Sequence, residues 1–125
     1  MAGLIINGSH YDDVKFAITA KEQQIGLMWV DYPTPIMVFP YKKAEVRKFW
    51  MKNTVSPLEL IFCNARKVIE IVSGIPFNEE LIGPDNPCDL VIETPAGFCY
   101  RHNIKTGTDV KIKFDKRILS KFLSV

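Results

Sequence analysis

Lys48-Phe49-Trp50-Met51-Lys52-Asn53-Thr54-Val55-Ser56-Pro57-Leu58-Glu59-Leu60-Ile61-Phe62 decides how the rest of the chain is read. Aromatic and branched residues alternate with charged ones on either side of a polar break at Asn53-Thr54 and Ser56-Pro57, a pattern that predicts two β-strands forming a hairpin. In the first, Val46, Lys48, Trp50 and Lys52 share one face and Arg47, Phe49 and Met51 the other, which suits a rim position. In the second, Leu58, Leu60 and Phe62 point one way and Glu59 and Ile61 the other, so one carboxylate sits on a hydrophobic strand.

Upstream, Leu4-Ile5-Ile6 reads as a strand ending in the turn dipeptide Asn7-Gly8, with a return strand carrying Val14, Phe16 and Ile18. Thr19-Ala20-Lys21-Glu22 is a capping box opening a short helix over residues 23–29. Ile36-Met37-Val38-Phe39, apolar on both faces and closed by Pro40, predicts a buried strand, and Tyr41-Lys42-Lys43-Ala44-Glu45 a polar connector. Downstream, strands are expected over residues 67–72, 89–93 and 110–114, a short helix after Pro95, and a long proline-bearing connector over residues 73–87. From Asp115 the period changes to that of a helix, with Ile118, Leu119, Phe122 and Leu123 on one side. The domain therefore divides into residues 1–114, a β domain, and 115–125, an amphipathic tail that packs on the domain or on a partner.

A length of 125 residues suits one domain, and 47% hydrophobic against 24% charged residues excludes a disordered chain. A net charge of +2 is too small to point to nucleic acid; Lys42, Lys43, Arg47, Lys48, Lys111 and Lys113 read as a solvated β surface. Cys63, Cys88 and Cys99 are odd in number and lack a C-x-x-C spacing, which favours free thiols inside a cell, and no segment approaches the roughly 20 apolar residues of a membrane span. The expected location is the cytoplasm, or the host cytoplasm and virion if the chain is phage-encoded.

The central stretch resembles the DUF192 family, also called UPF0127, small mostly-β domains without an assigned biochemical activity. The resemblance rests on Phe49-Trp50-Met51-Lys52-Asn53-Thr54 followed by Pro57-Leu58-Glu59-Leu60-Ile61-Phe62. It is supported by Gly26-Leu27-Met28, Met37-Val38-Phe39-Pro40, Leu90-Val91-Ile92-Glu93, Pro95-Ala96-Gly97 and the turn from Gly107 to Val110. It implies a compact β-sandwich or jelly-roll-like barrel, in line with the strand count, here with one or two short helices and a helical tail. Three departures stand out: Glu59 where relatives usually carry aspartate, a compressed stretch between Gly26 and Phe39, and the expectation, from the polar residues following Ile6, that this chain is not exported as many relatives are.

Among chemistry-bearing residues, Glu59 and Glu93 are the weak catalytic candidates, a carboxylate pair only if the fold brings them together. Structural hydrogen bonding is the favoured role for both. Trp50, Lys52, Asn53 and Glu59 form the candidate ligand site, and Ile118, Leu119, Phe122 and Leu123 the candidate partner face. His10 and His102 lack a ligand cluster, so neither a metal nor a cofactor is expected, and Cys99 with His102 lacks an orienting acid. The leading expectation is a noncatalytic binding or structural protein working with a protein partner or as a homo-oligomer, with a bacteriophage virion decoration or cement component on a capsid shell as one form of it. The alternatives are a small-molecule or carbohydrate-binding domain, or a hydrolase-like enzyme using Glu59 near Trp50.

Overall fold

A computed structural model describes all residues from 1 to 125. The N-terminal strand β1 (Gly3–Ile6) turns through Asn7 and Gly8, at φ +50° and +83°, into β2 (Ser9–Tyr11). The return strand is these three residues. The chain breaks at Asp12-Asp13, and β3 (Val14–Phe16) leaves for a different sheet. Helix α1 (Ala20–Ile25) starts at the predicted capping box, the Thr19 hydroxyl accepting from the Glu22 amide at 3.1 Å and the Glu22 carboxylate accepting from that of Thr19 at 3.0 Å. It ends earlier than expected, at Gly26, whose φ of +50° leaves the helical region.

Strand β4 (Ile36–Val46) runs through Pro40 and the segment read as a connector, with its register shifted between Pro40 and Glu45. β5 (Leu58–Asn64) and β6 (Lys67–Gly74) form a hairpin, and β7 (Pro87–Pro95) lies between β4 and β5. After α2 (Phe98–Arg101), β8 (Val110–Lys113) pairs antiparallel with β1, and α3 (Lys116–Leu123) closes the chain. The result is mainly β: a three-stranded sheet in the order β2-β1-β8 and a five-stranded sheet in the order β3-β4-β7-β5-β6. Neither sheet closes on itself, so the domain is not a barrel. No helix is long and apolar enough to cross a membrane.

Of the strand expected over residues 46–52, Val46 is the last residue of β4 and residues 47–52 form no strand. Phe49 exchanges backbone hydrogen bonds with Ile82 at 2.9 and 2.7 Å, and the Met51 amide donates to Asn78 O at 2.8 Å. Its partner is thus the connector after β6. β5 already has β6 and β7 on its two edges and has none left for a further strand.

The large sheet buries both faces. Val38, Ile61, Cys63, Leu90 and Ile92 face the small sheet and share a core with Leu4, Ile6 and Val110. On the opposite face Phe39, Leu58, Leu60, Phe62 and Val91 are roofed by Leu27, Met51 and Phe49. The alternation expected of residues 58–62 holds: Leu58, Leu60 and Phe62 are buried on one face and Ile61 on the other, with Glu59 half-buried beside it.

The tail folds back on its own domain. Asp115 caps α3, accepting from the Ile118 amide at 2.8 Å and from that of Ala2 at 3.2 Å. Ile118 is buried with Ala2 and Ile18, and Phe122 stacks on Phe114 with centroids 5.5 Å apart. Lys121 reaches Glu22 at 2.6 Å, and Lys42 holds the carbonyls of Leu123 and Val125. Of the candidate partner face, Leu119 and Leu123 alone remain exposed.

Candidate functional site

A cavity of about 450 Å³ opens on the outer face of the large sheet, between the C-terminal turn of α1 and residues 46–54. Its walls are Leu27, Tyr41, Phe49 and Trp50, and Phe39 and Glu93 stand at its base. Glu93 lies in register with Met37 of β4 and Leu60 of β5, so apolar neighbours flank it on both sides. Only 5% of the residue is exposed, and Oε1 has no hydrogen-bond partner. Burial pushes the carboxyl up to about 8, which leaves it protonated at neutral pH. Gly26 brings the end of α1 over it: a Cβ at that position would lie 3.5 Å from Glu93 Oε1 and 3.6 Å from the Phe39 ring.

Three cations ring the cavity. The Arg47 guanidinium lies 3.6 Å over the Tyr41 ring and donates to the carbonyls of Cys88 and Lys43 at 3.2 and 2.6 Å. Lys48 is tied to Asp85 at 2.8 Å and to the Gly83 carbonyl at 2.6 Å. Lys52 sits 5.0 Å from the centre of the Trp50 ring and makes no ion pair. Burial also raises Tyr41 to about 12, so its phenol stays a neutral donor.

Trp50, Lys52 and Glu93 are brought together here; Glu59 and Asn53 are not. Glu59 pairs with Thr94 across β5 and β7, one residue out of step with Glu93, which pairs with Leu60. Side chains alternate along a strand, so the two acids lie on opposite faces of the sheet and form no pair. Glu59 Oε1 accepts from the Cys99 amide at 2.9 Å, a structural bond at the start of α2. Asn53 turns the chain at φ +57°, and its carbonyl accepts from the Trp29 amide at 2.8 Å. Residues 73–87 do not close the cavity; they brace its wall through Ile82 and Asn78.

Elsewhere, all three cysteines are buried, and burial raises each thiol, Cys99 to about 12. His102 Nδ1 is engaged with the Tyr11 hydroxyl at 3.1 Å. No group of three or more His, Cys, Asp or Glu side chains is arranged to hold a metal ion.

Reading the sequence missed Gly26, Phe39 and Tyr41 as cavity residues. A signal was available: Gly26-Leu27-Met28, Met37 to Pro40, Phe49 to Thr54 and Leu90 to Glu93 are separate motifs along the chain, and each contributes a residue to this one cavity.

Comparisons with known proteins bear on the fold and the family. A protein of unknown function from Novosphingobium aromaticivorans DSM 12444 is 29% identical and superposes with a TM-score of 0.79, over 87% of this chain and 83% of its own. A putative transcription regulator from Sinorhizobium meliloti 1021, 24% identical, shares the fold with a TM-score of 0.79 over 90% of this chain and 94% of its own. No curated protein matches. Residues 4–112, which contain every residue of the cavity and all of both sheets but the terminal Gly3 and Lys113, match the family described as an uncharacterized ACR, and the chain belongs to that family, DUF192.

Proposed function

We propose that the protein binds a small organic molecule in the cavity above Glu93, using its two sheets as a rigid, sandwich-like scaffold. The observation that carries this reading is the orphaned Glu93 Oε1. A buried carboxyl without a partner costs several kcal/mol relative to an apolar side chain of similar size, and such a cost calls for a role, of which completion by a bound molecule is the one the adjoining cavity supports. The volume of about 450 Å³ falls within the roughly 300–1,000 Å³ of small-molecule sites. We read the site as one that binds without converting: no second carboxylate, histidine or cysteine lines it beside Glu93.

The test is a titration of isotope-labelled protein with a panel of small organic anions, read out by amide shifts. A supporting result is a saturable ligand that moves Gly26, Trp50 and Glu93 and is lost in Glu93→Leu. Ligands that move only residues outside the cavity, or no ligand at all, would sink it. A decoration role on a capsid shell gains no specific observation: of the four residues expected to meet a partner, Ile118 and Phe122 are packed against Ala2, Ile18 and Phe114, and Leu119 and Leu123 are exposed with nothing to show what covers them.

A further inference from the structure

Two aromatic side chains are held at the surface by a backbone conformation that bulky residues avoid. Trp29 and Phe77 have φ of +60° and +65°, left-handed values that are genuine outliers for such residues. Both hang on one turn. The Trp29 amide donates to the Asn53 carbonyl at 2.8 Å and the Phe77 amide to the Thr54 carbonyl at 3.1 Å, with Asn53 itself at φ +57°. The two rings meet edge to face, centroids 6.2 Å apart, yet Trp29 stays 66% exposed and Phe77 54%. Strained backbone that presents two large rings to water does nothing for the stability of a lone chain; it is the geometry of a surface that is covered in use.

The size of the patch and the charges at its border say what covers it. Ile75 and Leu81 flank Phe77 on the same loop and are about as exposed as Trp29. The four side chains together present apolar surface on the order of 500 Å². An interface of standard size covers about 800 Å² on each partner, rather more than half of it apolar. The patch therefore supplies the apolar share of one half of a stable dimer. At its border, Lys52 directly precedes the Asn53-Thr54 turn and Glu79 and Glu80 follow Phe77-Asn78, and none of the three makes an ion pair. A surface that meets its own copy across a two-fold axis needs both signs on its border, and this one has them. With Asp31, also unpaired, the acids outnumber the lysine, so the rings carry the affinity and Lys52 against the partner's Glu79 or Glu80 sets the orientation.

We propose that the protein forms a two-fold dimer through this patch, with Trp29 and Phe77 at its centre and Ile75 and Leu81 around them. None of the four lines the cavity, so the dimer neither needs nor fills the site above Glu93.

The experiment is sedimentation velocity of the full chain from about 1 to about 300 μM. The expected result is a mass that doubles with concentration, with half-association at or below about 10 μM. Asparagine is at home in the left-handed region, so Trp29→Asn and Phe77→Asn remove each ring and keep its turn. Each should weaken the dimer about tenfold or more with the fold intact by circular dichroism, whereas Leu123→Ser, on the exposed side of α3, should leave the dimer unchanged. Lys52→Glu in one chain, and Glu79→Lys with Glu80→Lys in another, each bring like charges together and should dissociate the pair. An equimolar mixture of the two should associate again, because each then meets its opposite. A monomer at every concentration, a dimer indifferent to loss of the rings, or a mixture no tighter than its components would overturn the inference.

Discussion

Glu93 is the residue at the centre of the cavity, and its cost to the fold makes its burial testable without a ligand. In the unfolded chain it titrates near 4.5, in the folded protein near 8. Between those values the unfolded chain has released a proton that the native protein keeps, so stability falls as pH rises through the window, by up to about 1.4 kcal/mol per pH unit, and Glu93 adds no further loss above it. Glu93→Gln cannot ionise and should lose most of that slope, which melting curves between about pH 5 and pH 8 will show. Glu59 makes the contrasting case: Glu59→Ala removes the acceptor of the Cys99 amide, with an expected cost of about 1 kcal/mol in chemical denaturation and no effect on binding in the cavity. Both acids were recognisable in the sequence as strand-borne carboxylates. That they occupy opposite faces was not, because it depends on a one-residue difference in register between β5 and β7, set by long-range pairing.

At the scale of elements, local signals were legible and pairing partners were not. The Thr19 capping box and the Asn7-Gly8 turn are written in adjacent residues and form as read. Residues 47–52 continue the alternation of a strand but have no free edge of β5 to join, so they became the wall of the cavity instead. Helix α3 showed its apolar side in the sequence without showing what covers it. Since Ile118 is buried against Ala2 and Ile18, Ile118→Ala should cost about 2–4 kcal/mol in urea denaturation, whereas Leu123→Ser, on an exposed position, should change stability by less than about 0.5 kcal/mol. A chain ending at Phe114 should be destabilised by exposure of that core, with no change in association state by light scattering attributable to the tail. The Lys121 and Glu22 pair holds the Glu22 carboxyl down to about 2, chiefly through the hydrogen bond from Lys121 and next through the Thr19 amide. Its contribution is present above the unfolded value near 4.5 and is lost as pH falls toward 2. Both side chains are more than a third exposed, so Lys121→Ala should cost less than about 1 kcal/mol at neutral pH and little at acid pH.

For the whole molecule, the large sheet carries the logic. One face is spent on the core shared with the small sheet; the other is roofed by loops and a single turn of α1, and irregular roofing leaves a cavity where a second sheet would have filled it. The mostly-β class and the family were legible because hydrophobic alternation and the order of motifs survive in one dimension. The parallel pairing of β3 with β4, and the gathering of four separate motifs around one carboxyl, exist only once the chain is folded. Whether that carboxyl is a ligand-binding group is best decided by carbon-13 detection of the side-chain carboxyls, with Glu93 assigned through Glu93→Gln. A buried Glu93 waiting for a ligand titrates near pH 8 in the free protein, and its signal moves when a ligand fills the cavity. A Glu93 that titrates near 4.5 and is indifferent to every ligand would show that the cavity is not a binding site.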